Sequence, residues 1–529
     1  VPLTEPHVEP EIPEAEGHDS AGSWGAWDKV LVVAVAGAVL AGLVLRFVTQ
    51  SPLWLDEALS VNIARLPIGD IPHALRHDGH PPLYYVLLHG WMSLFGHGDV
   101  AVRAFSGVWA VALLPLVWVA GLRLGGRRVA AYSLALVALS PYAIRYGTET
   151  RMYAMVMVLA LIGWLLVDDA LVRPTLPRLV AIAVVVALLL WTHYWAMWLL
   201  AAAGIALIAR AVLARRRGDA EGFATSLRII GAIVVGGLAF VPWLGTLLYQ
   251  GAHTGTPWAR PVRPTEMMTF TLADLGGGPQ AEAIVLGWAI ALLALVGITG
   301  RATTPGHVEI APRIEPAARA FVVAVVGTLS IACVVGYATG ATYASRYAAV
   351  FFPFLILLAG VGLARIGRHP FAAVLMVGLL GLGAFGGVRN VITDRSDARR
   401  SADAIDAAAR PGDLVVFCPD QLGPSTTRLL EPGLDLVTFP RFEDPRFVDW
   451  VDYKERLAGV DVDAFAQRAL DRAGDHRLFL VYSTSYITHE DTCPALVNAL
   501  SRLRPPTELT RTSEAFEPSG VIEFAPPAR

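Results

Sequence analysis

Two adjacent carboxylates, Asp56 and Glu57 in the run Trp54-Leu55-Asp56-Glu57, stand a few residues beyond the first long apolar stretch of the chain. Charge near hydrocarbon costs a few kcal/mol on insertion scales, so an acid kept there marks a functional site by default. The chemistry within its reach is proton abstraction, because a carboxylate within hydrogen-bond distance of a hydroxyl can serve as general base. Other polar residues fall between apolar stretches in the same way: His73, His77, Asp78 and His80, then Arg145, Glu149 and Arg151, then His193, then Arg346 between Tyr343 and Tyr347. An acid among several cations suits a reaction that strips a proton from a hydroxyl while an anionic leaving group gathers charge. A lipid phosphate is a leaving group of that kind.

The elements that must position these residues are membrane helices. The 529 residues are 55% hydrophobic and only 16% charged, against about 25% charged in an ordinary soluble protein, and the mean hydropathy is +0.52. A net charge of -3 lacks the basic face that nucleic-acid binders carry, which sets nucleic acid aside as a partner. A crossing takes about 20 mostly apolar residues, and eleven stretches qualify, some of them short: 30–47, 104–122, 129–144, 153–171, 179–191, 195–213, 229–249, 283–298, 317–338, 348–366 and 371–388. Residues 1–28 read as an acidic, disordered cytoplasmic tail without the basic start and early apolar core of a secretory signal.

Lys and Arg collect in cytoplasmic loops, and Arg123/Arg127/Arg128, Arg210/Arg215/Arg216/Arg217 and Arg365/Arg368 fall at alternate turns. Those turns belong inside, which places Asp56, 146–151, 192–194, 250–282 and 343–347 outside, together with everything after Arg389. The parity requires that 81–95, which opens Pro81-Pro82 and contains His89, lie in the interface rather than cross. Residues 29–390 thus form a transmembrane catalytic domain, and 391–529 a soluble extracytoplasmic α/β domain. In the latter, strands are expected at 414–417, 434–439, 477–482 and 520–524, with helices at 396–409, 462–473 and 493–503. No glycine-rich phosphate fingerprint follows any of these strands. Cys418 and Cys493 lie in this outer domain, where an oxidising compartment permits a bridge; Cys333 falls in an apolar stretch as a small core residue.

A sugar on a polyprenyl phosphate keeps its reactive carbon at the membrane surface, since the tail stays in the bilayer. An acceptor hydroxyl must approach that carbon from the side opposite the phosphate, with a carboxylate at hand to take its proton. Inversion at the anomeric carbon follows, and no nucleotide-binding fold is needed.

At this point the chain resembles a known family. Asp56-Glu57 after the first helix, His80-Pro81-Pro82-Leu83-Tyr84-Tyr85, Phe95-Gly96 followed by Arg103, the stretch from Ser140-Pro141 to Tyr153, Thr192-His193-Tyr194, and Ser345-Arg346-Tyr347 ahead of Pro353 are similar to motifs of the polytopic GT-C glycosyltransferases. The likeness is to the protein O-mannosyltransferase and aminoarabinose transferase-like branch and covers 30–388. It implies a polytopic α-helical GT-C-like fold of about 11 transmembrane helices plus interfacial ones, a polyprenyl-phosphate-linked sugar donor, an inverting transfer outside the cytoplasm, and Asp56 as the catalytic aspartate of the first outer loop. It also implies that Arg346, with Arg145 or Arg151, holds the donor phosphate. Glu57, His80, Arg145, Glu149, Arg151, Tyr153, His193, Tyr343 and Arg346 are accordingly expected to bind substrate. The acceptor is a lipid, glycan or protein hydroxyl; mannose and arabinose are the sugars favoured by analogy.

Plainer roles stand beside these. Asp56 could cap a helix running to Ala64, Glu57 is the acid that any first helical turn favours, and His80-Pro81-Pro82 could simply separate two segments. Arg145, Glu149 and Arg151 could form structural ion pairs, and His193 sits with Trp191, Tyr194 and Trp195 as in an interfacial aromatic belt. His73 and His77, four apart, could share a helix face as metal ligands, but solvated surface histidines are the account adopted. No cofactor is assigned, and a divalent cation is left open. The rival function is a transporter or lipid flippase, against which stand the absence of a matching half-repeat and the placing of the charges in loops rather than mid-helix.

Overall fold

A computed structural model describes residues 26–254, 263–304, 307–339, 343–367, 370–489 and 491–526. All but the last three residues of the acidic tail therefore lie outside the described residues, and of those three only the backbone is described. Among the described residues the membrane part is mainly helical. In chain order it comprises α1 (Ala26–Leu45), α2 (Leu55–Ala64), α3 (Ile71–Asp78), α4 (Leu83–Phe95), α5 (Asp99–Ala138), α6 (Pro141–Gly147), α7 (Tyr153–Val172), α8 (Leu176–Thr192), α9 (Ala196–Arg216), α10 (Ala220–Leu238), α11 (Val241–His253), α12 (Pro264–Gly276) and α13 (Ala281–Thr299). Three further apolar stretches follow, Pro316–Thr339, Phe352–Ile366 and Pro370–Ile392.

Among the described residues seven helices are long and apolar enough to cross a bilayer, and Lys29–Leu45, Leu176–Thr192 and Phe352–Ile366 are shorter apolar helices. One of the seven, α5, is two spans: its helical geometry breaks at Gly125 and Gly126, where Gly126 has φ 76°, a backbone that a side chain would strain. The break falls at the Arg123/Arg127/Arg128 turn. With α5 counted twice, these helices correspond to the eleven stretches read from the sequence, and the chain is a multi-pass membrane protein. Helix α4, 13 residues long, is too short to cross unaided.

Two spans are shorter than expected. The stretch 129–144 ends at Ala138, and α6 begins afresh at Pro141 with the Ser140 hydroxyl accepting from the Ala143 N–H at 3.3 Å, an N-cap followed by proline at the first helical position. The stretch 229–249 divides at Phe240, before Val241-Pro242, because proline forfeits the bond to the preceding turn. Both breaks bring polar residues to one end of the bundle.

Helix α7 lies at its centre, with every residue from Tyr153 to Leu161 buried. Close packing elsewhere depends on small residues. A Cβ on Gly362 would stand 1.9 Å from the Leu293 carbonyl oxygen and one on Gly297 2.0 Å from that of Leu358, so α13 and Phe352–Ile366 meet backbone to backbone.

A two-stranded hairpin, β1 (Gly300–Thr304) and β2 (His307–Ile310), follows α13. The C-terminal region holds a five-stranded sheet of β3 (Leu414–Cys418), β4 (Asp435–Thr438), β5 (Leu478–Tyr482), β6 (Pro506–Thr510) and β7 (Gly520–Phe524) in the order β4-β3-β5-β7-β6. β3 is parallel to β4 and β5; β7 is antiparallel to β5 and β6. Helices Val462–Ala473 and Thr492–Leu503 bury one side of the sheet and Ala398–Ala408 the other. The four expected strands are present, as is the α/β layering; β6 and the β1–β2 hairpin are additions. Cys418 and Cys493 form a disulfide that joins the end of β3 to Thr492–Leu503.

Candidate active site

Helix α2 begins at Leu55 with Trp54 as its N-cap, so Asp56 is the second helical residue and not the cap. Adjacent helical residues point about 100° apart, and here the two acids turn to opposite sides. The Asp56 carboxylate faces two arginines: its Oδ2 stands 3.3 Å from Arg346 Nη1 and 3.9 Å from Arg151 Nη2. That oxygen is buried and accepts no hydrogen bond. Glu57 is wholly buried and saturated, taking Arg103 Nε at 2.8 Å and Nη2 at 2.6 Å, the Thr150 N–H at 2.9 Å and the Trp54 N–H at 3.5 Å, with Arg395 at 3.9 Å. Burial pushes its carboxyl up, but Arg103, then Arg395 and the Thr150 N–H, outweigh that and hold it below the usual range. The expectation that Glu57 binds substrate is therefore corrected: it ties the helix to the bundle and has no oxygen to offer.

Arg151 is held from several sides. Its Nη1 donates to Ser60 Oγ at 3.0 Å, Tyr85 Oη at 3.3 Å and the Asp56 carbonyl at 3.4 Å, and its Nη2 donates to His80 Nε2 at 2.9 Å. A guanidinium can only donate, so His80 Nε2 is the acceptor and its Nδ1–H points to Asp78 Oδ2, 2.9 Å away. Tyr85 donates to the same oxygen at 3.0 Å. His80 thus acts on the site through Arg151. His77, in turn, meets Asp449 of the C-terminal region at 2.9 Å, and its ring lies 5.5 Å from that of His73.

His193, in the break between α8 and α9, is buried against the rings of Tyr347 (5.4 Å), Tyr153 (5.7 Å) and His80 (6.4 Å). Burial, with the positive charges of Arg151 and Arg346 added, holds it well below the usual imidazole range. It is neutral. Its Nδ1 accepts the Trp195 N–H at 3.1 Å, which leaves the proton on Nε2 as a neutral donor. The Tyr153 hydroxyl is buried with no partner.

Arg145 and Glu149 form a pair of their own at 2.9 Å, with Arg145 lying 6.0 Å over the ring of Phe516. Glu149 therefore serves Arg145, as a structural ion pair would. Tyr343 binds Thr271 through its hydroxyl and packs its ring on Trp195; it is a wall of the site, and the expectation that it contacts substrate gains no support from its geometry. Asp56, Arg151, Arg346, His80, His193 and Tyr153 do converge.

Two contributors were not read from the sequence. Asp274 of α12 accepts from Tyr146 at 2.9 Å and from Ser345, next to Arg346. The sequence offers no local signal for it: the stretch 250–282, expected as an outside loop, holds three acids, Glu266, Asp274 and Glu282, and nothing in their spacing singles out Asp274. From the C-terminal region, Glu517 Oε2 accepts the Leu55 N–H at 2.7 Å and its Oε1 binds Ser425, while Phe516 packs edge-on against Trp54 at 5.2 Å. The sheet domain thus anchors the first turn of the helix that carries Asp56. Burial pushes the Glu517 carboxyl up to about 8.

A divalent cation does not fit beside Asp56, where a single carboxylate has two guanidinium groups within 4 Å. Among the described residues the one cluster of metal-ligand composition, Cys418, His489 and Cys493, has its sulfurs joined to each other.

Residues 79–244 match the model of the family described as dolichyl-phosphate-mannose-protein mannosyltransferase. No curated protein sequence matches the chain. In fold it is similar to ArnT from Cupriavidus metallidurans, at 14% identity over 95% of this chain and 100% of that one with a TM-score of 0.58 for the apo state, and at 16% identity, the same coverage and 0.54 for the form bound to undecaprenyl phosphate. The oligosaccharyltransferase from Archaeoglobus fulgidus in complex with Zn and sulfate is similar at 10% identity, 93% and 73% coverage and 0.48. The fold is that of the polytopic GT-C glycosyltransferases, as the sequence motifs led us to expect.

Proposed function

We propose that the protein is an inverting glycosyltransferase that moves a sugar from a polyprenyl-phosphate donor to an acceptor hydroxyl at the extracytoplasmic face of the plasma membrane. One observation carries the reading: a buried carboxylate oxygen of Asp56 without a hydrogen bond faces two arginines across a site at one end of a membrane bundle. The family-model match over 79–244, which includes His80, Arg151, Tyr153 and His193, and the binding of undecaprenyl phosphate by ArnT of the same fold, support the class of donor.

In the reaction the donor sugar enters between Asp56 and the arginines. Asp56 takes the proton of the acceptor hydroxyl; the freed oxygen attacks the anomeric carbon, the bond from that carbon to the phosphate oxygen breaks, and configuration inverts. The proton ends on Asp56. The negative charge ends on the polyprenyl phosphate, where Arg346 and Arg151 stabilise it as charge-assisted donors. The His193 Nε2–H and the unpartnered Tyr153 hydroxyl are donors for the sugar. Residues 391–529 form the outer domain, which anchors Asp56 through Glu517 and contributes Phe516 beside Arg145. Its disulfide agrees with an oxidising, extracytoplasmic placement.

Purified protein incubated with radiolabelled polyprenyl-phosphate sugars and a membrane extract should transfer label to an acceptor. Failure with every donor would overturn the proposal in favour of a transporter.

A further inference from the structure

On the far side of α2 from the Asp56 carboxylate lies a cavity of about 200 Å³. Arg46, Thr49, Ser51, Arg103, Thr148 and Arg399 line it, together with Asp99, whose carboxylate already pairs with Arg428 at 3.1 Å. Arg46 is wholly buried at the end of α1. Its Nη1 donates to the carbonyls of Gly42 and Ala138, each at 2.7 Å, and its Nη2 to that of Val137 at 2.8 Å. No carboxylate among the described residues forms an ion pair with it, and its Nε, like the Thr49 hydroxyl, is buried with no hydrogen-bond partner.

The charge imbalance extends behind the wall. Arg103 directs its fork to Glu57, and Arg395, which donates to the Thr148 carbonyl and hydroxyl at 3.0 and 2.7 Å, lies 3.9 Å from the same carboxylate. Arg103 and Arg395 thus share the Glu57 carboxylate and Arg46 has none, while neighbouring Glu149 is paired with Arg145. Buried charge without an opposite charge is strongly disfavoured, yet the fold makes room for it. A Cβ on Gly42 would stand 2.8 Å from Arg46 Nη1, and one on Gly147 3.4 Å from Arg46 Cγ.

We propose that this cavity binds a phosphate group, the Arg46 Nε–H and the Thr49 hydroxyl donating from within and Arg399 closing over it from its exposed lip. The site is separate from the Asp56 chamber: Glu57 and Arg103 stand between them. Two sources carry such a group, an anionic phospholipid and free phosphate. The rim favours the lipid, because Phe47, Val48 and Val100 are exposed apolar side chains beside the end of α1, where acyl chains would lie.

The test uses the full-length protein in detergent, titrated separately with phosphatidylglycerol, phosphatidylcholine and inorganic phosphate while the thermal midpoint is followed. Phosphatidylglycerol should raise the midpoint and phosphatidylcholine should not. A response to inorganic phosphate without one to phosphatidylglycerol would identify the soluble ion as the source, still at this site. Arg399→Ala and Thr49→Val, at positions that can change without emptying the core, should each weaken the response about tenfold, the usual cost of one charge-assisted bond. Arg46→Gln should abolish it if the variant folds. Arg346→Ala should leave it intact, which separates this cavity from the chamber. The proposal is overturned if neither anion outperforms phosphatidylcholine, if Arg399→Ala and Thr49→Val respond as wild type, or if the response is lost in Arg346→Ala and kept in Arg399→Ala.

Discussion

The two sides of helix α2 carry the same chemical group in opposite conditions. On one side Glu57 is saturated by Arg103 and by backbone N–H groups; on the other, Asp56 keeps a buried oxygen without a hydrogen bond, and the Tyr153 hydroxyl nearby is likewise unmet. Buried polar groups are ordinarily satisfied, and the exceptions call for explanation. A saturated acid fixes the scaffold, whereas an unsaturated one, flanked by cations, is held ready for a ligand. The difference is therefore one of partners and not of residue type.

The comparison can be broken most forcefully at Glu57. Glu57→Ala leaves the Arg103 and Arg395 charges buried with no acid, and removing one partner of a buried pair costs about 3–5 kcal/mol; chemical denaturation of the purified protein should show a loss of this size, and an unchanged midpoint would make the saturated side dispensable. On the other side, Arg346→Ala should leave folding intact and weaken binding of a polyprenyl-phosphate sugar by roughly 10- to 100-fold, as expected for charge-assisted contacts. Equal donor affinity would remove Arg346 from the phosphate. Tyr153→Phe sharpens the contrast: deleting a buried hydroxyl that has no partner should not destabilise the protein and should relieve about 1 kcal/mol, while transfer slows. A loss of stability would reveal an internal role for the hydroxyl.

The smallest effect concerns the C-terminal region. Glu517 has an ordinary pKa of 4.5, raised by burial to about 8 in the folded chain. The unfolded chain releases this proton near pH 4.5 and the folded chain only near pH 8, so its contribution to stability is full at low pH and declines as pH rises through that window. Glu517→Gln should flatten the decline in thermal midpoint between pH 5 and 8. A variant as pH-dependent as wild type would assign the effect to other groups.

Much of this was legible in the chain. Long apolar runs gave all eleven spans, and short apolar runs set between helical patterns gave four of the five strands in the C-terminal sheet. Helix α12 was not legible, being only 13 residues and carrying Glu266 and Asp274. Strand β6 was missed because it starts at Pro506 and lies at the sheet edge, largely exposed. At the site, Asp56, Arg151 and Arg346 could be named from residue type and position. That Glu57 faces the other way could not, because a composition does not state how a short helix is rotated. Nor could Glu517 be found: it meets Leu55 across 462 residues of sequence, and no local pattern encodes that contact.

The central claim, that Asp56 rather than Glu57 takes the acceptor proton, is tested most directly by measuring transfer of radiolabelled sugar with Asp56→Asn and Glu57→Gln, each normalised to folded protein. Loss of a general base costs about 10²–10⁴ in rate, so Asp56→Asn should be nearly inactive at wild-type stability, with Glu57→Gln less stable but active. Transfer by Asp56→Asn equal to that of wild type would contradict the account.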